Sequence, residues 1–287
     1  MQQGLSMFLC PAHIVSAGSL GSSLTAALMT RFDLGCAGRW GIMAWLIYLH
    51  LRALQEGAAP MAFEPAQHSF ITLEGVDGAG KSTQARLLAR ALELAGHQVV
   101  SLREPGGTAI SEKIRALLLD PANMAMGDTC ELLLYEAARA QLVHEVIAPA
   151  LAAGKVVLCD RFYDSTTCYQ AFADGLDRQM VRDANNLAVA GTHPALTLVY
   201  HITPEQAALR MAARGAADRM EAKGMAFQER VYQGFCAIAA EEPNRVKLID
   251  ATTTVEEVFE KTVEQVRAYG LDIPQDAVAA ALAKEAE

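Results

Sequence analysis

The sequence predicts an α/β fold: a central parallel sheet of five strands covered by helices on both faces. Three observations predict it. From residue 69 onward, short apolar runs alternate with longer helical stretches, the pattern of βαβ units. The runs are continuously apolar rather than alternating, as strands buried on both faces must be. One run passes through a glycine-rich turn directly into a helix.

The elements follow in chain order. Ser69–Glu74 reads as the first strand, and Ser82–Ala95 as a helix stopped by Gly96. His97–Arg103, with Val99 and Val100, is the second strand, and Ser111–Leu119 is helical. Glu131–Ala153 is a long helix closed by Gly154. Val156–Asp160 is a buried strand ending in a carboxylate. Residues 164–190 are mostly helical with a break at Gly175, and Leu196–Ile202 is the fourth strand. Pro204 sits at the first position of a helix reaching Ala213. Arg245–Ile249 is a short fifth strand, followed by a helix over Thr254–Tyr269. From Leu271 the chain becomes an Ala-rich tail with weak helical promise. In such a sheet, active groups gather beyond the C-terminal ends of the strands. Gly75, Glu104, Asp160 and Asp250 fall at those ends.

Composition narrows the function. The chain has 287 residues, 52% of them hydrophobic and 20% charged, which suits a folded globular protein of one large domain or two small ones. Its net charge of −9 argues against nucleic-acid binding, because a phosphate backbone needs a basic face. Six scattered cysteines form no C-x-x-C pair and no zinc spacing with histidine. They read as reduced thiols of a cytoplasmic protein.

Residues 1–60 differ from the rest, with Asp33 and Glu56 as their acids and Arg31, Arg39 and Arg52 as their bases. The apolar run from Gly41 to Leu49 is shorter than the about 20 residues that span a bilayer, so no membrane partner is expected. No positive charge precedes an apolar core at the extreme N-terminus, as a signal peptide requires. An acid-poor stretch with arginines also fits an organelle transit peptide. The simpler expectation divides the chain into a poorly ordered extension or mis-assigned start (1–60), a folded domain (61–270) beginning at Met61, and a tail (271–287).

Chemistry concentrates in Gly75-Val76-Asp77-Gly78-Ala79-Gly80-Lys81-Ser82-Thr83, which contains G-x-x-x-x-G-K-S, the phosphate-binding loop pattern. Glycine at both ends lets the loop curl so that successive N–H groups face phosphate oxygens. The helix that follows adds its positive N-terminal end. Lys81 can reach the β- and γ-phosphates of a nucleotide, and the Ser82 hydroxyl can ligate Mg²⁺. No N-K-x-D segment for reading guanine is present.

Four more segments complete a pattern. They are Arg103-Glu104-Pro105-Gly106-Gly107-Thr108 with Arg115 beyond it, Tyr135-Glu136-Ala137-Ala138-Arg139, Asp160-Arg161-Phe162 running on to Tyr169-Gln170, and the arginine-bearing stretch from Arg210 to Arg219. In this order, residues 69–269 resemble the thymidylate kinase family. The resemblance implies a three-layer P-loop kinase fold with a small arginine-bearing lid. It also implies transfer of a phosphoryl group from ATP to dTMP with Mg²⁺, in a homodimer.

It assigns expectations residue by residue. Asp77 matches the acid that binds the sugar 3′-hydroxyl. Arg161 and Arg115 match the arginines that hold the dTMP phosphate, a task suited to planar guanidinium forks. Tyr135 stands where the family usually has a Phe stacked on thymine, and Arg139 matches an arginine at the base edge. Gln170 is expected to read thymine N3–H and O4, with Thr166 beside it. Tyr169 would crowd a ribose 2′-hydroxyl, favouring deoxyribose. Glu104 belongs to the dTMP site. With Asp160 it is also expected near the metal, directly or through water, or else paired with Arg103 or Arg161. Val76 and Ala79 place no arginine inside the loop, so the lid must supply one. Arg210, Arg214 and Arg219 are the candidates, with Gly215 giving the lid freedom. Arg214→Ala is expected to lower kcat far more than it weakens ATP binding. The competing expectations are a same-fold kinase of another nucleotide or nucleoside, and a P-loop protein that binds ATP without transferring phosphate.

Overall fold

A computed structural model describes residues 69–212, 219–220 and 223–285. Five strands form one parallel sheet: β1 (Phe70–Glu74), β2 (Val99–Arg103), β3 (Val156–Asp160), β4 (Leu196–His201) and β5 (Val246–Asp250). Their order is β2-β3-β1-β4-β5. The register places Leu73 opposite both Asp160 and Leu198, and Arg103 opposite Asp160, so the carboxyl ends of β1, β2 and β3 lie side by side. β2 and β3 lie on one side of β1 and β4 and β5 on the other, so the strand order switches direction there and opens a crevice at the carboxyl edge.

Helices cover both faces. They are α1 (Lys81–Leu94), α2 (Ala109–Leu119), α3 (Asp128–Leu142), α4 (Ala148–Ala152), α5 (Tyr163–Thr166), α6 (Arg178–Val189), α7 (Pro204–Met211), α8 (Met225–Glu241), α9 (Val255–Ala268) and α10 (Gln275–Glu285). Side chains alternate across β1. Ile71 and Leu73 join Leu88, Leu92, Phe235 and Phe259 in one buried cluster. Phe70 joins Leu142, Ile147, Val157 and Phe162 in another. This is the three-layer α/β architecture expected.

Local chemistry fixes the ends of the elements. Thr203 and Thr254 each close a capping box, with Gln206 and Glu257, at the starts of α7 and α9. Thr108 accepts from the Ser111 N–H at 3.1 Å and starts α2. By contrast, α1 has Gly80 before it, no side-chain cap and no acid in its first turn.

Four stretches differ from expectation. The long helix begins at Asp128 and passes through a π-helical segment, Val143–Ile147, into α4. Pro149 accounts for the widening, because it has no N–H to return to the preceding turn. A second π segment, Thr167–Ala173, carries Tyr169 and Gln170. The stretch after the lid, for which the sequence analysis assigns no element, contains α8, and the tail contains α10. Residues 1–60 lie outside the described residues. Among the described residues, no helix is long and apolar enough to cross a membrane.

Candidate active site

The loop between β1 and α1 is shaped by two glycines. A Cβ on Gly75 (φ +133) would meet the Tyr200 carbonyl oxygen at 2.7 Å, and one on Gly78 (φ +84) the Ala207 carbonyl oxygen at 2.6 Å. Only glycine lets the loop lie this close to the end of β4 and to α7. The uncapped start of α1 leaves its first N–H groups available to an anion. Lys81 Nζ donates back to the carbonyls of Gly75 (3.0 Å) and Val76 (2.9 Å). Burial, reinforced by the charge of Arg161, brings the Lys81 ammonium down to a pKa of about 8.

Beside the loop lies a cleft of about 240 Å³. Its walls bring together Asp77, Lys81, Ser82 and Thr83 from the loop, Glu104 and Arg115 from the β2–α2 side, and Tyr135 and Arg139 from α3. Asp160, Arg161, Thr166, Tyr169 and Gln170 complete it from β3 and beyond. Residues as far apart in the chain as Asp77 and Gln170 thus face one space.

Ser82 Oγ donates to the Asp160 carboxylate at 2.6 Å. A hydroxyl and a carboxylate at a helix start make an all-oxygen donor pair of the kind Mg²⁺ takes, with substrate phosphates and water filling its other positions. Among the described residues, no cluster of three or more His, Cys, Asp or Glu is shaped to hold a metal. The residues therefore fit Mg²⁺ shared with a nucleotide rather than an ion caged by protein.

Arg161 is held from three directions. Its guanidinium is ion-paired with Asp77 and donates to Ser165 Oγ (3.0 Å) and the Gly75 carbonyl (3.3 Å). Its carbon lies 5.3 Å from the centre of the Tyr169 ring. The Tyr169 hydroxyl reaches Asp77 at 3.3 Å. Burial pushes the Asp77 carboxyl up, but Arg161 and Lys81 outweigh it and hold it below the usual range. Arg161 also adopts φ +74, a left-handed conformation costing about 1–3 kcal/mol for a residue other than glycine. Glu74 secures that turn. Fully buried, it accepts from the N–H of Phe162 (2.7 Å), the N–H of Ser165 (3.3 Å) and Ser165 Oγ (2.6 Å).

Several expected residues are placed differently. Glu104 pairs neither with Arg103 nor with Arg161: Arg103 bridges to Glu112 at 3.1 Å, and Glu104 bridges to Arg139 at 2.8 Å. Its Oε2 is thus committed to a buried ion pair with Arg139, while the residue lines the same cleft as Ser82 and Asp160. Arg139 is itself committed. Besides Glu104 it holds Glu136 (2.5 Å), Thr166 Oγ1 (3.0 Å) and Asn185 Oδ1 (3.3 Å). It stiffens one wall of the cleft rather than offering a free fork. Arg115 lines the cleft and donates to the Pro105 carbonyl at 2.9 Å.

The three lid candidates part company. Arg210 donates to the Ala251 carbonyl at 2.8 Å, tying α7 to the loop after β5. Arg219 is buried, donates to the Leu118 carbonyl (2.6 Å) and pairs with Glu131 at 2.5 Å. Arg214 lies outside the described residues. Sequence reasoning missed Glu74, Glu131 and Glu136. The available signal was an acid inside a buried strand or helix face, which requires a partner.

The comparisons agree with this geometry. Residues 73–262 match the family model "Thymidylate kinase". The chain is 45% identical over 201 residues to a thymidylate kinase of Exiguobacterium sibiricum, covering 70% of this chain and 95% of that one. It is 49% identical to one of Geobacter sulfurreducens, covering 65% and 91%. The solved thymidylate kinase of Ehrlichia chaffeensis superposes with a TM-score of 0.57 at 33% identity, covering 69% of this chain and 97% of that one. A family model that matches residues 73–262, in a chain that covers more than nine-tenths of each of these relatives, places the protein in the thymidylate kinase family.

Proposed function

We propose that the protein phosphorylates dTMP with ATP, yielding dTDP and ADP for dTTP synthesis. One observation carries this reading: Lys81 and Ser82 of the phosphate loop line the same cleft as Tyr135 and Gln170. Two anionic substrates can therefore meet end to end there.

The acceptor phosphate has a second pKa near about 6 and is mostly dianionic at pH 7. One of its oxygens attacks the γ-phosphorus, and the bond to the β–γ bridging oxygen breaks as ADP leaves. No general base is needed, so the protein supplies position and charge. Gly75 to Thr83 cradle the triphosphate, with Lys81 on its terminal phosphates. Arg161 and Arg115 hold the dTMP phosphate. Asp77 meets the 3′-hydroxyl, and Tyr169 stands against a 2′-hydroxyl. Tyr135 stacks on thymine and Gln170 reads its edge, within a wall set by Arg139, Glu104 and Thr166. Ser82 and Asp160 would hold Mg²⁺, which neutralises charge on the β- and γ-phosphates. Of the lid arginines, Arg214 is assigned to the transferring group, because Arg210 and Arg219 are anchored elsewhere.

The proposed setting is a cytoplasmic homodimer whose activity resides in residues 61–270. A coupled ADP-release assay with dTMP, dUMP, dCMP, AMP and thymidine tests the reaction. Release driven by dTMP at least tenfold over dCMP, AMP and thymidine is expected. Preference for another acceptor would name a different kinase, and ATP binding without ADP release a non-catalytic protein.

A further inference from the structure

Glu131 sits where three parts of the molecule converge. It lies in the first turn of α3 and is 1% exposed. Its Oε1 accepts from Gln170 Nε2 at 2.8 Å, and from Lys223 Nζ at 3.3 Å. Its Oε2 pairs with Arg219 Nη1 at 2.5 Å. Lys223 is fixed in turn by Asp174 at 2.9 Å, and Arg219 by the Leu118 carbonyl. One buried carboxylate thus receives an amide from the π segment and two cations from the chain between α7 and α8.

The consequence falls on Gln170. A primary amide is ambivalent: its oxygen accepts and its nitrogen donates. A carboxylate only accepts. Glu131 therefore compels Gln170 to turn Nε2 toward it, which points Oε1 away from it. Gln170 also lines the cleft. Thymine presents N3–H, a donor, whereas cytosine presents N3 as an acceptor. An amide locked with its oxygen toward the base accepts thymine and opposes cytosine. The flipped amide would do the reverse, and an unlocked amide would serve both. Mispairing of buried polar groups is a strong source of discrimination.

We propose that Glu131 is a specificity-positioning residue: it locks the Gln170 amide as an acceptor and so selects thymine over cytosine, with Arg219 and Lys223 pinning the carboxylate. This rests on the reading of Gln170 as the residue facing the base. Glu131 touches no substrate and acts through Gln170.

The test compares kcat/KM for dTMP and dCMP in the full chain, with circular dichroism as a check on folding. Glu131→Gln offers Gln170 either an acceptor or a donor. It is expected to lower the dTMP/dCMP ratio at least tenfold, mostly through KM, with KM for ATP unchanged. Glu131→Asp keeps an acceptor-only group and is expected to hold the ratio within about threefold of wild type. An equal loss for both substrates in Glu131→Gln would mean a purely structural role and overturn the proposal. If Glu131→Gln does not fold, Arg219→Leu, which unpins the carboxylate, is expected to lower the ratio at least threefold. An unchanged ratio there would overturn the proposal. Gln170→Leu separates the two readings. If it leaves the ratio intact, the assignment of Gln170 to the base fails. If it collapses the ratio while Glu131→Gln does not, only the role of Glu131 fails.

Discussion

A carboxyl group buried at the end of a strand must keep a proton or find a cation, and this molecule contains one of each kind. Glu104 faces Arg139. Glu74 hydrogen-bonds to N–H and O–H groups of the turn after Arg161 and forms no ion pair. Burial first, and the charge of Asp164 second, push Glu74 up to about 7, with the Ser165 hydrogen bond opposing. Burial also pushes Glu104 up to about 7, against the pull of Arg139. The sign of the linkage follows. Between the unfolded value of 4.5 and about 7, the folded chain binds protons that the unfolded chain has released. Stability is therefore lost as pH rises through that window, by an amount on the order of 3 kcal/mol for the unpaired acid, Glu74. Glu74→Gln mimics the protonated acid, accepting from the two N–H groups and donating to Ser165. Urea unfolding at pH 5 and pH 8 is expected to show that the substitution removes most of the pH-dependent loss assigned to Glu74. An unchanged difference between the two pH values would mean that Glu74 is ionised throughout.

At the scale of elements, the segment proposed to read the base depends on a helix that sequence reasoning passed over. Gly234 on α8 faces the π segment. A Cβ there would meet Phe172 Cβ and Cγ at 3.1 Å and the Cys168 Cα at 3.2 Å. Alanine would favour the helix itself by about 0.5–1 kcal/mol. The Cys168 backbone cannot yield as a flexible side chain would, so overpacking wins. Gly234→Ala is expected to cost about 1–2 kcal/mol in urea unfolding. It should also raise KM for dTMP more than KM for ATP, because Tyr169 and Gln170 ride on the displaced segment. A rise confined to ATP would disconnect α8 from the base. The apolar residues Phe227, Val231, Phe235 and Ile238 follow a helical period, so α8 was legible, but Gly234 at its centre masks a helix to the eye. The five strands were plain, since buried parallel strands write themselves as unbroken apolar runs. The π segments were not, because one widened turn barely disturbs a 3.6-residue period. The loop was legible from motif spacing and Asp160 from its place at a strand end, while Arg161 and Gln170 were singled out by the family resemblance. The pairing of Glu104 with Arg139 and of Glu131 with Arg219 was not legible, because each joins elements that only the tertiary fold brings together.

At the scale of the whole molecule, the segment expected as a tail is part of the core. Ile273 is fully buried and Ala277, Val278 and Ala281 nearly so, in the same cluster as Leu87 and Leu88 of α1. Arg267 clasps the approach to α10, donating to the Ile273 carbonyl at 2.8 Å, and His97 meets the Asp272 carbonyl at 3.2 Å. The helix that carries Lys81 and Ser82 therefore has α10 on its outer side. Burying Ile273 and Val278 contributes about 1.5–3 kcal/mol each as an upper measure, offset by the ordering of the segment. Among the described residues, none of 271–285 lines the cleft. Removing them should thus act on stability and spare the chemistry. A protein ending at Gly270 is expected to lose about 2–3 kcal/mol, a fall in Tm of roughly 5–10 °C for a chain of this size. Its kcat at 25 °C should stay within about twofold of the full chain. A protein beginning at Met61 should keep both Tm and kcat, since the family match begins at residue 73. Calorimetry and the ADP-release assay on the two shortened proteins check this division. An unshifted Tm in the protein ending at Gly270 would show that α10 is not holding α1. A collapse of kcat at unchanged Tm would mean that the C-terminal helix acts on the phosphate loop itself.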